Sequence, residues 1–362
     1  MQLFSTFKAI VRIAVPGLFL LPVVRTWSQA LPPAGPSDVP ASVGNVISSA
    51  LEPPKIKEDW STPSLKGSEL RLGDAITPEP STVGTCSRQI VRVEWRPGDP
   101  IDLYILKPAG VKKPPVILYL YSYPFEMDRF LQPDFADFLV HDGYAAVGFA
   151  SALTGGRYHS PRPMKEWFVS QLRESLATSA HDVQMILNYL ATRGDLDMDR
   201  VGMFGDGSGA SIAILAAAVD PRIKTLDLLD PWGDWPDWIA KSTLIPENER
   251  PDFLKPDWLA AVAPLDPLKW LPQLSRQTVR VQFVKGVTVT PAEAQAKIES
   301  AIPSSAKVFH YDDVPAFRAA MAGGAGLDWI KEHVQAHPAK EHHAARHEPT
   351  QGTSKPEKDP QS

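Results

Sequence analysis

The stretch Val201-Gly202-Met203-Phe204-Gly205-Asp206-Gly207-Ser208-Gly209-Ala210 constrains this chain more than any other. Its first residues read as a buried strand, the three glycines at alternate positions as a tight turn, and alanine-rich Ser211 to Val219 as an apolar helix. A strand that passes directly into a helix belongs to a sheet covered by helices, since the helix must pack back onto the sheet it has left. Gly207 stands at the centre of the turn, and glycine takes a strained bend without steric cost.

The rest of the chain repeats this alternation. Candidate strands are Ile90 to Trp95, Ile101 to Lys107, Val116 to Tyr121, Ala145 to Ala150, Val201 to Phe204, Ile223 to Leu229, Val279 to Val284 and Lys307 to Tyr311. Pro97-Gly98-Asp99-Pro100 is too short for a crossover helix, so the first two strands form an antiparallel hairpin at the sheet edge. Leu172, Leu176, Val183, Leu187 and Leu190 make the inward stripe of a helix ahead of the fifth strand. The expected fold is α/β: an eight-stranded, mostly parallel sheet with helices on both faces. Pro231 to Gln277 forms a short helical lid insertion within a domain spanning 67–336.

Composition bounds what surrounds that domain. The 362 residues are 43% hydrophobic with a net charge of -5, which gives no basic surface for nucleic acid. Residues 1–30 carry Lys8, Arg12 and Arg25 with no acid, an apolar run from Ile13 to Val24, and Ser28-Gln29-Ala30 at the end. That is the pattern of a cleaved secretory signal. The run is shorter than the roughly twenty residues a bilayer span needs, so no stable membrane span is expected after cleavage, and the protein is exported, periplasmic or extracellular. Seven prolines in 31–66 indicate an extended linker, and 337–362, with His337, His342, His343 and His347, a disordered tail. A single cysteine, Cys86, ahead of the first expected strand, excludes an intramolecular disulfide and has no basic partner to activate it.

Eight strands, an opening hairpin, and a Gly-x-Gly-x-Gly turn after the fifth resemble the α/β-hydrolase superfamily. The likeness is to the prolyl-oligopeptidase, dienelactone-hydrolase and acetyl-xylan-esterase type and spans roughly residues 88 to 335. Arg200 to Gly205 followed by Ala216-Ala217-Ala218-Val219-Asp220-Pro221-Arg222-Ile223-Lys224 is similar to the elbow strand, helix and next strand of those families. The resemblance implies a serine nucleophile at the centre of the elbow, an acid after the seventh strand or at the end of the sixth, and a histidine after the eighth.

Each address holds something else. Gly207 occupies the nucleophile position. Shifting by one residue makes Ser208 the centre, but its neighbours two away become Asp206 and Ala210, and Asp206 repels a developing oxyanion. After the seventh strand, Lys285 to Pro291 contains valine and threonine but no acid; Asp230, after the sixth, is either the displaced acid or a turn cap. The loop after the eighth strand has no histidine, and His310 lies within the strand itself. His159 and His181 precede the elbow, away from the address of a base. Tyr121 and Tyr123 resemble the region where prolyl-oligopeptidase relatives help hold the oxyanion, and equally suit core or rim aromatics. Trp232, Trp235 and Trp238 of the lid either line a ligand pocket or fix the lid to the sheet.

No metal-ligand spacing occurs outside the tail, and Gly205 to Gly209 lacks both the P-loop lysine and a dinucleotide fingerprint, so no cofactor is expected. The leading expectation is an exported, catalytically silent relative of serine esterases and peptidases that binds an unidentified small-molecule or envelope ligand. The alternative is an active ester or peptide hydrolase using Ser208 with Asp230 or His310. A third reading is a lid-mediated sugar or lipid binder.

Overall fold

Short runs of β-branched and aromatic residues zip into one sheet in the computed structural model, which describes residues 56–123, 128–153, 157 and 168–335. In chain order the elements are β1 (Ser81–Val83), β2 (Cys86–Val93), β3 (Ile101–Pro108), β4 (Pro115–Leu120), α1 (Pro133–Val140), β5 (Ala145–Phe149), α2 (Leu172–Thr192) and β6 (Asp197–Asp206). Next come α3 (Ser208–Val219), β7 (Ile223–Leu229), α4 (Trp235–Lys241), α5 (Arg250–Phe253), α6 (Pro256–Val262) and α7 (Pro267–Trp270). The chain closes with β8 (Thr278–Val284), α8 (Ala292–Ser300), β9 (Lys307–Tyr311), α9 (Val314–Ala322) and α10 (Ala325–Gln335).

The sheet order is β1-β2-β3-β5-β4-β6-β7-β8-β9. Strands β4 to β9 are parallel, whereas β1, β2 and β3 join through antiparallel pairs. The eight expected strands are β2 to β9, and β1 adds a three-residue ninth. Strand β2 begins at Cys86, so this cysteine lies in the sheet rather than ahead of it. It is buried, and desolvation together with the nearby Asp137 carboxylate pushes its thiol up to about 11, which keeps it protonated and unreactive.

Alternation along each strand divides the interior into two layers. Val116, Leu118 and Leu120 face a core completed by α2, α3 and the lid helices; Ile117 and Tyr119, with Tyr121 just beyond the strand, face a second core under α1, α9 and α10. The expected helix stripe Leu172, Leu176, Val183, Leu187 and Leu190 is buried entirely in the first core. From β4 the chain moves to β5 on one side, while β6 lies on the other. That reversal is where open α/β sheets leave a crevice at their carboxyl ends.

The packed chain begins before residue 67, which corrects the expected linker boundary. Glu58 is 4% exposed at its side chain and bonds Arg96 at 2.6 Å and His181 Nδ1 at 2.6 Å. Arg96 and Arg157 both reach Asp182, Arg157 also reaches Asp99, and Trp95 donates its indole N–H to Asp182 at 2.8 Å. Further along, Leu65 N–H and Pro63 C=O are bonded by the Gln184 amide. A buried charge is tolerable only when paired and hydrogen-bonded, so this segment cannot leave without stranding ions. The expected signal (1–30), the linker over 31–55, His159 and the tail 337–362 lie outside the described residues. No helix of the described residues is long and apolar enough to cross a membrane.

The network makes a testable statement about stability. Burial by itself raises the Glu58 carboxyl, but the bonds from Arg96 and His181 outweigh it and hold the group at about 2. A lowered acid stabilises the fold above its unfolded pKa, and the benefit is lost as pH falls through the folded value. Glu58→Gln is expected to cost about 3 kcal/mol near neutrality, the scale for breaking a buried pair, and to expose 56–66 to limited proteolysis. Urea denaturation should show the difference from the parent shrinking between pH 4.5 and pH 2; a difference independent of pH would contradict the assignment.

Candidate functional site

Strand β6 ends at Asp206 and α3 starts at Ser208, leaving one residue to turn the chain. That residue, Gly207, sits at φ 55° and ψ -113° and donates its N–H to Leu229 O at 2.9 Å. The glycines two residues away are there for room. A Cβ on Gly205 would run into the backbone of Gly209 and Ala210, and one on Gly209 into the Leu120 carbonyl. Helix α3 therefore seats against β6 and the end of β4 because neither glycine carries a side chain. The crest of the bend belongs to residue 207.

The space above the crest is taken. A Cβ on Gly207 would collide with Ser122 Oγ and lie 3.0 Å from Trp232 Nε1. A hydroxyl and an indole from neighbouring segments thus stand where a seryl side chain would project. Ser208 is fully buried in the first turn of α3, and its Oγ accepts the Tyr123 N–H at 2.9 Å. In this type of turn the oxyanion is held by the N–H after the central residue and by one from the loop after the adjacent strand. Here an N–H of that loop is committed to Ser208.

Tyr121 and Tyr123, expected as oxyanion or pocket residues, point into packing. Tyr121 is 3% exposed, lies among Tyr119, Phe130, Phe135 and Phe204 in the second core, and has the Arg129 guanidinium 4.6 Å above its ring. Burial pushes its phenol well above the usual range. Tyr123 is half-buried against the first core.

The fallback trio does not assemble. Asp230 follows β7 at φ 42° and accepts the Val284 N–H at 3.0 Å, a bond to the end of the neighbouring strand β8 rather than a local cap. His310 lies three strands from β6, about 14 Å at the usual strand spacing. Its ring stacks on Phe283 at 5.4 Å and its Nε2 lies 3.1 Å from Glu299. The other described imidazoles are engaged elsewhere: His181 with Glu58 and Thr62, His141 with Phe138 and Asp142, and His333 with Trp329.

Two half-buried carboxyls at the strand ends set the local electrostatics. Desolvation raises Asp206 to about 6, with Arg129 opposing it in part. Desolvation, followed by the charge of Asp206, raises Asp230 to about 7, against the Val284 N–H. Once ionised, above about pH 6 to 7, these acids disfavour additional negative charge at the crest, the reverse of what acyl transfer requires. Sequence reasoning singled out Asp206 beside the turn but missed Ser122. The only signal for it is its place two residues beyond the end of β4, the strand beside the elbow strand.

In the lid, Trp232, Trp235 and Trp238 are 3%, 1% and 0% exposed, with ring centroids 4.9 Å (Trp232–Trp238) and 5.7 Å (Trp235–Trp238) apart. Asp266 accepts the Asp234 and Trp235 N–H groups, and Lys297 bridges Asp234 and Asp237. These tryptophans pack against one another within the first core and so fix the lid to the sheet. An open groove of about 630 Å³ lies farther over, between the loops after β8 and β9, lined among others by Lys241, Lys285, Thr288, Thr290, His310 and Asp312. No cluster of three or more metal-ligating side chains occurs among the described residues.

The raised acids destabilise the fold at neutral pH, with a definite sign. Between roughly pH 4, where an unfolded aspartate titrates, and pH 7, native Asp230 holds a proton that the unfolded chain has lost, so stability from the neutral form declines as pH rises across that window. Asp230→Asn keeps an acceptor for Val284 and mimics the neutral acid. Its melting temperature should exceed the parent's by a few degrees at pH 8 and by almost nothing at pH 4. An equal change at both pH values would contradict the assignment.

No family model matches the sequence, and no curated relative is found for it. Solved structures do match. The acetyl xylan esterase from Paenibacillus sp. R4 superposes with a TM-score of 0.57 at 16% identity, over 79% of this chain and 97% of that one. Acetyl xylan esterase 1 from Thermoanaerobacterium sp. JW/SL YS485 gives a TM-score of 0.51 at 15% identity, over 68% and 83%. At such identity what is shared is architecture. The chain has the α/β-hydrolase fold.

Proposed function

We propose that this protein is an exported α/β-hydrolase-fold protein that has lost serine acyl transfer and keeps the scaffold to bind a small-molecule or envelope ligand. The carrying observation is the crest itself: Gly207 has no nucleophilic atom, and Ser122 and Trp232 fill the space above it. The surroundings support the same reading. Ser208 is buried and engaged with Tyr123, raised carboxyls stand beside the turn, and no imidazole bonds Ser122 or Ser208 among the described residues. A hydroxyl without a base is a poor nucleophile. Export rests on the charge and length pattern of residues 1–30.

The purified protein is expected to resist labelling by a fluorophosphonate probe and to leave short-chain aryl esters unhydrolysed. Labelling that disappears in Ser208→Ala or Ser122→Ala would overturn the proposal. Gly207→Ser should remain inactive and lose about 1–3 kcal/mol from the strained backbone alone, with an additional loss from the collision with Ser122. Ser122→Gly/Gly207→Ser should recover that additional part in urea denaturation. Substantial ester turnover by either variant would mean that a base lies within reach of the crest.

A further inference from the structure

The last strand of the sheet has an unpaired outer edge among the described residues. Strand β9 pairs with β8 in unbroken register from Arg280↔Lys307 to Val284↔Tyr311, and no described strand lies beyond it. Because Tyr311 O accepts the Lys285 N–H at 3.1 Å, the backbone of residues 307, 309 and 311 faces β8. By alternation the N–H and C=O groups of Val308 and His310 face outward, and they have no backbone partner among the described residues. Two apolar side chains are exposed on the same strand: Val308 at 37% and Phe309 at 44%.

Edges of this kind are normally blunted by proline, a bulge, charged side chains, lysine above all, or very short length, since a flat apolar edge recruits another strand. The opposite edge follows that practice, as β1 has three residues. Strand β9 has five, with neither proline nor bulge, and its one lysine, Lys307, stands at the first position, leaving the edge from Val308 to His310 without one.

We propose that β9 is a homodimer interface, two copies joining antiparallel about a two-fold axis near Phe309 so that their sheets run on as one. The outward groups of Val308 and His310 are symmetric about Phe309, so Val308 of each copy exchanges hydrogen bonds with His310 of the other. Phe309 then meets its own counterpart in a close, non-hydrogen-bonded pair. Charge selects this occupant and this direction. Lys307 opens the strand, Asp312 and Asp313 follow it, and neither Lys307 nor Asp312 makes an ion pair among the described residues. An antiparallel copy sets each lysine beside the other's aspartates, whereas a parallel one opposes like charges. The contact is self-complementary, as a two-fold interface must be.

The test uses the full chain by sedimentation velocity from about 1 to about 100 μM, a range that reads micromolar association, together with amide hydrogen exchange. The dimer mass should emerge with concentration, and the Val308 and His310 amides should become protected in parallel. Phe309→Glu should weaken association at least tenfold. His310→Pro removes an outward N–H, leaves the β8 ladder intact because proline suits edge strands, and should do the same, with circular dichroism confirming its fold. A monomer throughout the range overturns the proposal. So does a dimer indifferent to both variants, or protection of the two amides independent of concentration, which would mean that a segment of the same chain covers the edge.

Discussion

The closeness with which α3 approaches the sheet governs this structure. A helix follows β6 after one residue, and its first turn lies on the backbone at the end of β4 with no side chain between. Gly205 and Gly209 make that approach possible, and Gly207 absorbs the reversal at positive φ. Once α3 is held there, β4, β6 and β7 present their carboxyl ends together, and the lid, the loop after β4 and the two strand-end acids converge on one point.

What converges there is a packed junction with the electrostatics of a site that holds protons. Asp206 and Asp230 pay a desolvation cost that only Arg129 and one backbone N–H offset, so both retain protons well above the usual carboxylate range. The far side of the sheet is organised oppositely. Around Asp182 two arginines outweigh burial, and the carboxylate is held strongly ionised. The buried cluster is thus matched in charge and anchors the start of the domain, while the half-buried pair is undercompensated and lies beside the place where the fold ordinarily performs chemistry. Undercompensated acids tend to mark functional positions, although structural networks perturb protonation as well.

Much of this was legible in the residues. The strands from β2 to β9 were visible as apolar runs between turn signals, and the buried stripe of α2 as leucines and a valine at helical spacing. Gly207 as the centre of the elbow followed from the glycine spacing, and its φ of 55° agrees. The short helices of the lid and the burial of its tryptophans suited the interrupted pattern of Pro231 to Gln277. Less was visible where partners are distant in sequence. Glu58 looked like part of a proline-rich linker because nothing local shows that Arg96 and His181 will meet it. Nothing local marks Ser122 between its two tyrosines, and Cys86, expected ahead of the first strand, lies within β2.

Local sequence determined the alternation of strands and helices, the site of the sharp bend and the absence of a hydroxyl on its central residue, because backbone preference and hydrophobic period are properties of neighbours along the chain. Tertiary structure alone decided that Ser122 and Trp232 occupy the space above that bend, that Ser208 is spent on Tyr123, and that the start of the domain is bound by a buried ion network. Those facts depend on side chains brought together from separate strands and loops. Steric exclusion and desolvation act through space, and no spacing along the chain encodes them.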